Sequence, residues 1–278
     1  FTLDATVNPD FSQVESDDPQ VTVNQRYEVY FPEKRPFFLD NASYFQTPIN
    51  LFFTRRIADP EFGARLTGTV DHWALGVMAS DDRAPGEALP AGDPLSGSRA
   101  ADAIVSLHRE FRNQSSAGFL ATTYNFGSRS NQIVSFDTRL RLSSTWFFTA
   151  QLAHSFDRQP GGQRSLGQAI LADLARDGRH FSYDASFSDY SPDFKAPLGF
   201  IKRVDIRKTT QYVGYLWRPE NRLIVDLGPF AGASADWDHR ETLQDWNGYA
   251  GFTVNLRGSS GLKFTRYQIF ERYLSQGF

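Results

Sequence analysis

The 278-residue chain contains no cysteine. It therefore has no disulfide framework, which fits a protein exported to an oxidising compartment and equally a small cytosolic domain. No run approaches the ~18 apolar residues of a membrane helix, so a helical membrane protein is excluded. A strand-built membrane protein is not, because alternation averages to a polar mean, here a mean hydropathy of -0.43. Neither sign of charge dominates. A net charge of -3 and a pI near 6.0 argue against a nucleic-acid partner. There is no HExxH spacing, no GxSxG elbow, no phosphate loop and no cofactor motif. An initiator Met and a signal peptide are also missing, and the chain opens at Phe1 inside a strand-like pattern. This reads as a piece excised from a longer protein, and the missing signal peptide is no argument for the cytoplasm.

What is present is alternation, clearest between Gln132 and Asp157. Val134, Phe136, Thr138, Leu140 and Leu142 fall on one side of an extended chain, with Ser135, Asp137, Arg139, Arg141 and Ser143 on the other. After the turn at Ser143, Ser144 and Thr145, Trp146, Phe148, Ala150, Leu152 and Phe156 oppose Phe147, Thr149, Gln151, Ala153 and Asp157. Two long strands joined by a tight turn make an antiparallel hairpin with one apolar and one largely polar face. Sandwich strands usually run about five or six residues. Strands of about ten residues, tilted by about 45°, cross an outer-membrane hydrocarbon band with apolar residues toward lipid and charged ones toward a wet lumen. Val134, Phe136, Leu140, Phe148 and Leu152 are thus expected on the lipid face. Asp137, Arg139, Arg141, Thr149 and Gln151 are expected on the lumen face.

The same pattern runs through the chain. Residues 1–9 read as a strand ended by Asn8, Pro9 and Asp10. Residues 10–62 mix an acidic start (Glu15, Asp17, Asp18) with aromatic and charged clusters too apolar for a disordered loop. Hairpins follow about the turns at 71–72, 112–115, 143–145, 176–178, 218–221 and 258–261. Residues 81–100, rich in Pro, Gly, Ser and Asp, read as a flexible loop. The stretch 167–175 fits either a strand or a helical turn, and Asp177-Gly178 favours the strand. Short turns alternate with longer connections, as in outer-membrane barrels. This parity leaves no place for 49–57 as a spanning strand, so about thirteen strands are expected, with 10–62 an insertion that folds into the lumen as a partial plug. The odd count implies missing strands. All five tryptophans fall near turns or loops, as two interfacial belts require. The expected architecture is an all-β antiparallel transmembrane barrel of the outer-membrane type: one domain over 1–278, an incomplete piece, with a plug-like insertion.

Several stretches carry a resemblance to a family: Phe1 to Glu15 (FTLDATVNPDFSQVE), Tyr30 to Leu39 (YFPEKRPFFL), Phe53 to Ile57 (FTRRI), Ser191 to Phe194 (SPDF) and Leu198 to Phe200 (LGF). They look like an uncharacterised bacterial family whose members resemble outer-membrane barrels and often follow a family-9-type carbohydrate-binding module. The resemblance implies an envelope location and glycan handling; the strand pattern adds the outer membrane, with its lipid as partner. It brings no catalytic residues, and the binding module itself is not in this sequence.

The candidate ligand-binding residues are Glu33, Lys34, Arg35, Arg55 and Arg56. The first three, beside Phe37 and Phe38, offer charged groups and aromatic faces to a sugar or carboxylate. The plainer alternative is a plug pinned to lumen charges. Arg55 and Arg56 offer an anion path or a lumen salt bridge. Asp236, Asp238, His239 and Glu241 resemble a hard-metal loop, but their spacing matches no calcium motif. No metal and no cofactor is expected. The function expected is a non-enzymatic pore, transport or surface-binding component with a glycan or oligosaccharide ligand. The alternative is a glycan hydrolase using paired carboxylates among Asp137, Asp157 and Asp184.

Overall fold

The computed structural model describes residues 1–9, 30–220 and 223–272. Glu15, Asp17 and Asp18 lie outside them. Thirteen strands form one antiparallel sheet in strict chain order: β1 (Thr2–Val7), β2 (Phe62–Val70), β3 (Trp73–Asp82), β4 (Ala100–Phe111), β5 (Ser115–Phe126), β6 (Arg129–Arg141), β7 (Trp146–Arg158), β8 (Arg164–Asp177), β9 (Phe181–Tyr190), β10 (Ile206–Tyr215), β11 (Ile224–Trp237), β12 (Leu243–Leu256) and β13 (Ser260–Glu271). No pairing joins β1 to β13 among the described residues, so the sheet is open at both edges. The ambiguous 167–175 stretch is part of β8, a 14-residue strand. Residues 49–57 contribute no strand; their only regular structure is a 3-10 turn at Thr54–Arg56.

Connections at one end of the strands run two to four residues, apart from 216–223 between β10 and β11. Asp71 takes a left-handed φ of 52° in the two-residue turn between β2 and β3, and Gly258 and Ser259 take φ of 84° and 60° between β12 and β13. Positive φ at the turn centre matches the strand twist, and Gly and Asp tolerate it. The opposite end carries the inserted segment and the stretches 83–99 and 191–205, and also a two-residue turn at 127–128 between β5 and β6. The 83–99 stretch differs from the flexible loop its composition suggests. A short helix α2 (Ala84–Glu87) forms in it, Arg83 pairs with Asp59 at 2.8 Å, and Arg99 pairs with Asp81 and Glu61.

The chain divides into two compact units: residues 1–138, 151–168 and 193–204, and residues 139–150, 169–192 and 205–278. In the first unit the buried strand face is mixed, with Met78, Ile104, Leu120 and Ile133 beside many polar side chains. Ser80, Asp82, Asp102, Ser106, Thr122, Asn131, Ser135, Gln151, Ser155 and Asp157 are buried. Leu3, Val70, Val105, Phe136, Leu152 and Phe156 are exposed, Phe136 at 59%. Of the residues expected on the lipid face of β6 and β7, Phe136, Leu140 and Leu152 are exposed and Val134 and Phe148 half-buried; of those expected on the lumen face, Gln151 is buried, Asp137, Arg141 and Thr149 are half-buried and Arg139 is exposed. In the second unit the strand register places Phe187, Val213, Ala233 and Trp246 on one face and Ser186, Tyr212, Ser234 and Asn247 on the other.

Candidate functional site

The polar side of the first unit is covered by residues 30–62, whose backbone is mostly irregular. Pro36 pre-sets the φ of a one-turn helix α1 (Pro36–Leu39), and Asn41 in the left-handed region (φ 54°) turns the chain into a 3-10 turn at Ala42–Phe45. Main chain outside regular structure must still find hydrogen-bond partners when buried. The wall side chains provide them. Gln151 Oε1 accepts the Ile49 N–H at 2.5 Å. Asp82 accepts the N–H groups of Ala58 and Asp59 at 3.0 and 2.8 Å, and Asp81 those of Glu61 and Phe62. Arg65, 2% exposed, donates to the carbonyls of Phe37 and Asp40 and to Asp4 Oδ2 on β1 at 2.7 Å. The inner face carries Met78, Ile104, Leu120 and Ile133 as well, and its polar side chains are the ones that hold the irregular backbone lying on it.

Inside the segment, Glu33 and Arg35 form the central clamp. Arg35 Nε and Nη2 donate to the two Glu33 carboxylate oxygens at 2.8 and 2.7 Å in a bidentate pair. Its Nη1 donates to Ile57 O at 2.6 Å, and Nη2 also to Thr54 O at 2.9 Å. The guanidinium lies 4.3 Å over the Phe38 ring. Glu33 further accepts the Thr54 hydroxyl at 2.7 Å and the N–H groups of Lys34 and Arg35. Burial by itself would raise the Glu33 pKa. The hydrogen bonds from Arg35 and Thr54, with the Arg35 charge, overcome it and hold the carboxyl at about 2. The clamp ties residues 33–39 to residues 54–57, closing a loop around the ring contacts Tyr30–Phe53, Phe37–Phe38 and Phe45–Phe52.

A second stretch, 193–204, completes the cover. Lys195 Nζ pairs with Asp157 at 2.9 Å, its N–H donates to Ser155 Oγ, and its carbonyl accepts Asn131 Nδ2. Phe194 and Leu198 are buried. Gly167 on β8 leaves room for this approach, since a Cβ there would collide with the Phe194 backbone. The stretch then joins the segment. Phe53 N–H donates to Leu198 O at 2.7 Å, Phe200 N–H to Asn50 O at 2.9 Å, and the Phe200 ring meets Tyr30 and Phe53 edge-on, each centroid 5.3 Å away.

The five candidate residues thus separate. Glu33 and Arg35 come together, with Lys34 half-buried beside them, whereas the neighbours Arg55 and Arg56 diverge, one to Pro32 O at 2.8 Å and the other to Gly199 O at 3.1 Å. Four of the five guanidinium N–H groups of Arg35 are committed to these protein acceptors. A cavity of about 470 Å³ opens against this cluster, lined by Glu33, Phe38, Phe45, Gln46, Asn50 and Phe53 among others. Glu33 pairs within the segment, Asp59 and Glu61 pair with Arg83 and Arg99 of the 83–99 stretch, and Arg65, Gln151 and Asp82 of the wall hold the segment's main chain. Sequence reasoning did not single out Arg65, Asp82 or the 193–204 strap. The motifs at Ser191–Phe194 and Leu198–Phe200 were the signal for the strap.

Of the paired-carboxylate candidates, Asp137 has a buried Oδ2 without a hydrogen-bond partner among the described residues, whereas Asp157 is occupied. Asp157 takes hydrogen bonds from Lys195, Asn131 and Gln159. The residues of the metal-like loop disperse. Asp238 caps its own loop through the N–H groups of Arg240 and Thr242 and the Gln244 amide, which holds its carboxyl below the usual range. His239 faces Asp189 and Asp205 at 2.9 and 3.0 Å. No group of three or more metal-ligating side chains occurs among the described residues.

Fold and site together define an antiparallel all-β wall whose polar side is covered by an inserted segment. Residues 1–70, which are β1, the insertion and β2, match the family described as a domain of unknown function, DUF5916. No curated protein and no solved structure matches the chain.

Proposed function

We propose that this chain forms wall strands of an outer-membrane-type β-barrel, that residues 30–62 with 193–204 occlude its lumen, and that it serves as a non-enzymatic pore, transport or surface-binding component of the bacterial outer membrane linked to glycan handling. The observation that carries the reading is the exposure of large apolar side chains on strands whose buried face holds many polar ones. Side chains such as Phe136, Leu152 and Phe156 stand exposed on the strands while Ser135, Gln151 and Ser155 are buried opposite them. Water penalises such a surface, and monomeric soluble proteins rarely expose large contiguous apolar patches; lipid favours it. Strand lengths of 9 to 14 residues from β2 onward suit a tilted crossing. Trp73 and Trp146 begin strands and Trp237 ends one, as residues of interfacial belts would. Arg109 lies 5.0 Å over Trp73, its charge near the strand end. A closed barrel further requires the β1 and β13 edges to be paired, to each other or to additional strands.

The test is depth dependence. Phe136 lies mid-strand, and Leu140 is one residue from the end of β6. In refolding titrations into lipid vesicles, Phe136→Arg should cost about 2 to 4 kcal/mol and Leu140→Arg about 0 to 1. Equal costs at the two positions would show that the exposed face meets something other than a bilayer.

A further inference from the structure

On the polar face of the second unit, rings and glycines alternate in the strand register. Tyr212 on β10 lies opposite Gly232 on β11, Gly232 opposite Tyr249 on β12, and Tyr249 opposite Tyr267 on β13. In the adjacent row Gly214 lies opposite Phe230, Phe230 opposite Gly251, and Gly251 opposite Thr265. The glycines are floors for the rings. A Cβ on Gly232 would fall 2.5 Å from the Tyr249 Cζ and Oη, one on Gly251 2.5 Å from the Phe230 Cζ, and one on Gly214 2.8 Å from the Tyr212 Oη. The rings therefore lean over the glycines, tilted to one another by 52° and 38°; Phe230 is buried beneath Lys263, Tyr212 and Tyr249 are half-buried, and Tyr267 is exposed. Phe230 and Tyr249 have centroids 6.3 Å apart, Tyr249 and Tyr267 5.6 Å apart, and Lys263 Nζ sits 4.6 Å over Phe230. A cavity of about 460 Å³ opens over these residues, with Asn255 on its wall. That volume is within the usual range of small-molecule sites.

We infer that this ladder is a binding track for a neutral oligosaccharide. A flat ring face takes the C–H face of a pyranose, while phenol hydroxyls, the Lys263 ammonium and Asn255 Oδ1, whose Nδ2 donates to Asp226, hydrogen-bond to sugar hydroxyls. Among the described residues, no hydrogen bond engages the hydroxyls of Tyr212, Tyr249 or Tyr267. The strand spacing sets Tyr212 and Tyr249 roughly 10 Å apart across the Gly232 gap, so the track accepts a chain longer than one ring. The charges near the track are of both signs, Asp184 opposite Tyr212 against Lys263 near Phe230, and Asp226 beside Asn255 against Arg218, so no single sign dominates to select an ion. Tyr267, 62% exposed, marks the accessible end. The inference rests on the reading of this face as the wet one and gives glycan handling a location.

The test is fluorescence titration of the detergent-refolded protein with hexasaccharides of glucose, xylose and N-acetylglucosamine. At least one should bind saturably. Tyr249→Ala and Tyr267→Ala should each weaken it about tenfold, the effect of losing one stacked ring. If Tyr249→Ala does not fold, the exposed Tyr267 carries the comparison. No saturable binding in any series, or unchanged affinity in the Tyr variants, overturns the track. Protease protection in vesicles, measured on the same preparation, separates the two readings. Protected protein that ignores every saccharide overturns the track alone, and protein that binds sugar without inserting overturns the membrane reading alone.

Discussion

Gln151 and Ile49 are 102 positions apart and meet at 2.5 Å, the side-chain carbonyl of one accepting the main-chain N–H of the other. The same Gln151 donates through Nε2 to Ser135 Oγ at 2.8 Å, so a single wall residue is fixed by its neighbouring strand and in turn fixes the covering segment. Both Gln151 and Ile49 are fully buried.

Replacing Gln151 by Leu keeps the volume of the side chain and removes the acceptor. The Ile49 N–H is then buried without a partner, at a cost of about 1 to 3 kcal/mol. The expected outcome is faster proteolysis between residues 46 and 53 with the sheet intact by circular dichroism. A cleavage rate equal to wild type would show that the segment is held without this bond.

The Glu33 and Arg35 clamp predicts acid sensitivity. Its folded pKa of about 2 lies below the ordinary 4.5, so the unfolded chain binds the proton more tightly. The stabilisation is therefore fully present above about pH 4.5 and is lost as the pH falls through 2. The size of the depression corresponds to about 3 kcal/mol. Stability of the wild type should drop across this window more than that of Glu33→Gln, which has no carboxyl to protonate. Parallel curves for the two proteins from pH 5 to pH 2 would refute the clamp, pH being the variable set.

If the segment occludes the lumen, deleting residues 31–57 should raise single-channel conductance in planar bilayers. Arg65→Met should do so only partially, because Arg65 holds just the Phe37 and Asp40 carbonyls while Gln151 and Asp82 keep the rest. Unchanged conductance after the deletion would leave the segment a surface cover and remove the plug from the proposal.

Much of the wall was legible from residue order. A period of two is a local property, and Val134 to Asp157 states which side chains share a face before any partner is known. Turn residues such as Asp71 and Gly258 state where strands end, and connection parity removed residues 49–57 from the strand count. The holding of the segment was not legible. A buried irregular main chain takes whichever side chain the tertiary arrangement brings to it, so nothing in the composition near Gln151, Asp82 or Arg65 announces their partners. The strap at 193–204 depends on Gly167 having no Cβ, a vacancy that a glycine in a strand does not advertise. The tyrosine and glycine checkerboard is likewise a product of register across four strands. Each strand carries its own alternation, but only the pairing of Tyr212, Gly232, Tyr249 and Tyr267 in one row turns separate rings into a surface, because register is fixed by inter-strand hydrogen bonds rather than by any one strand's sequence.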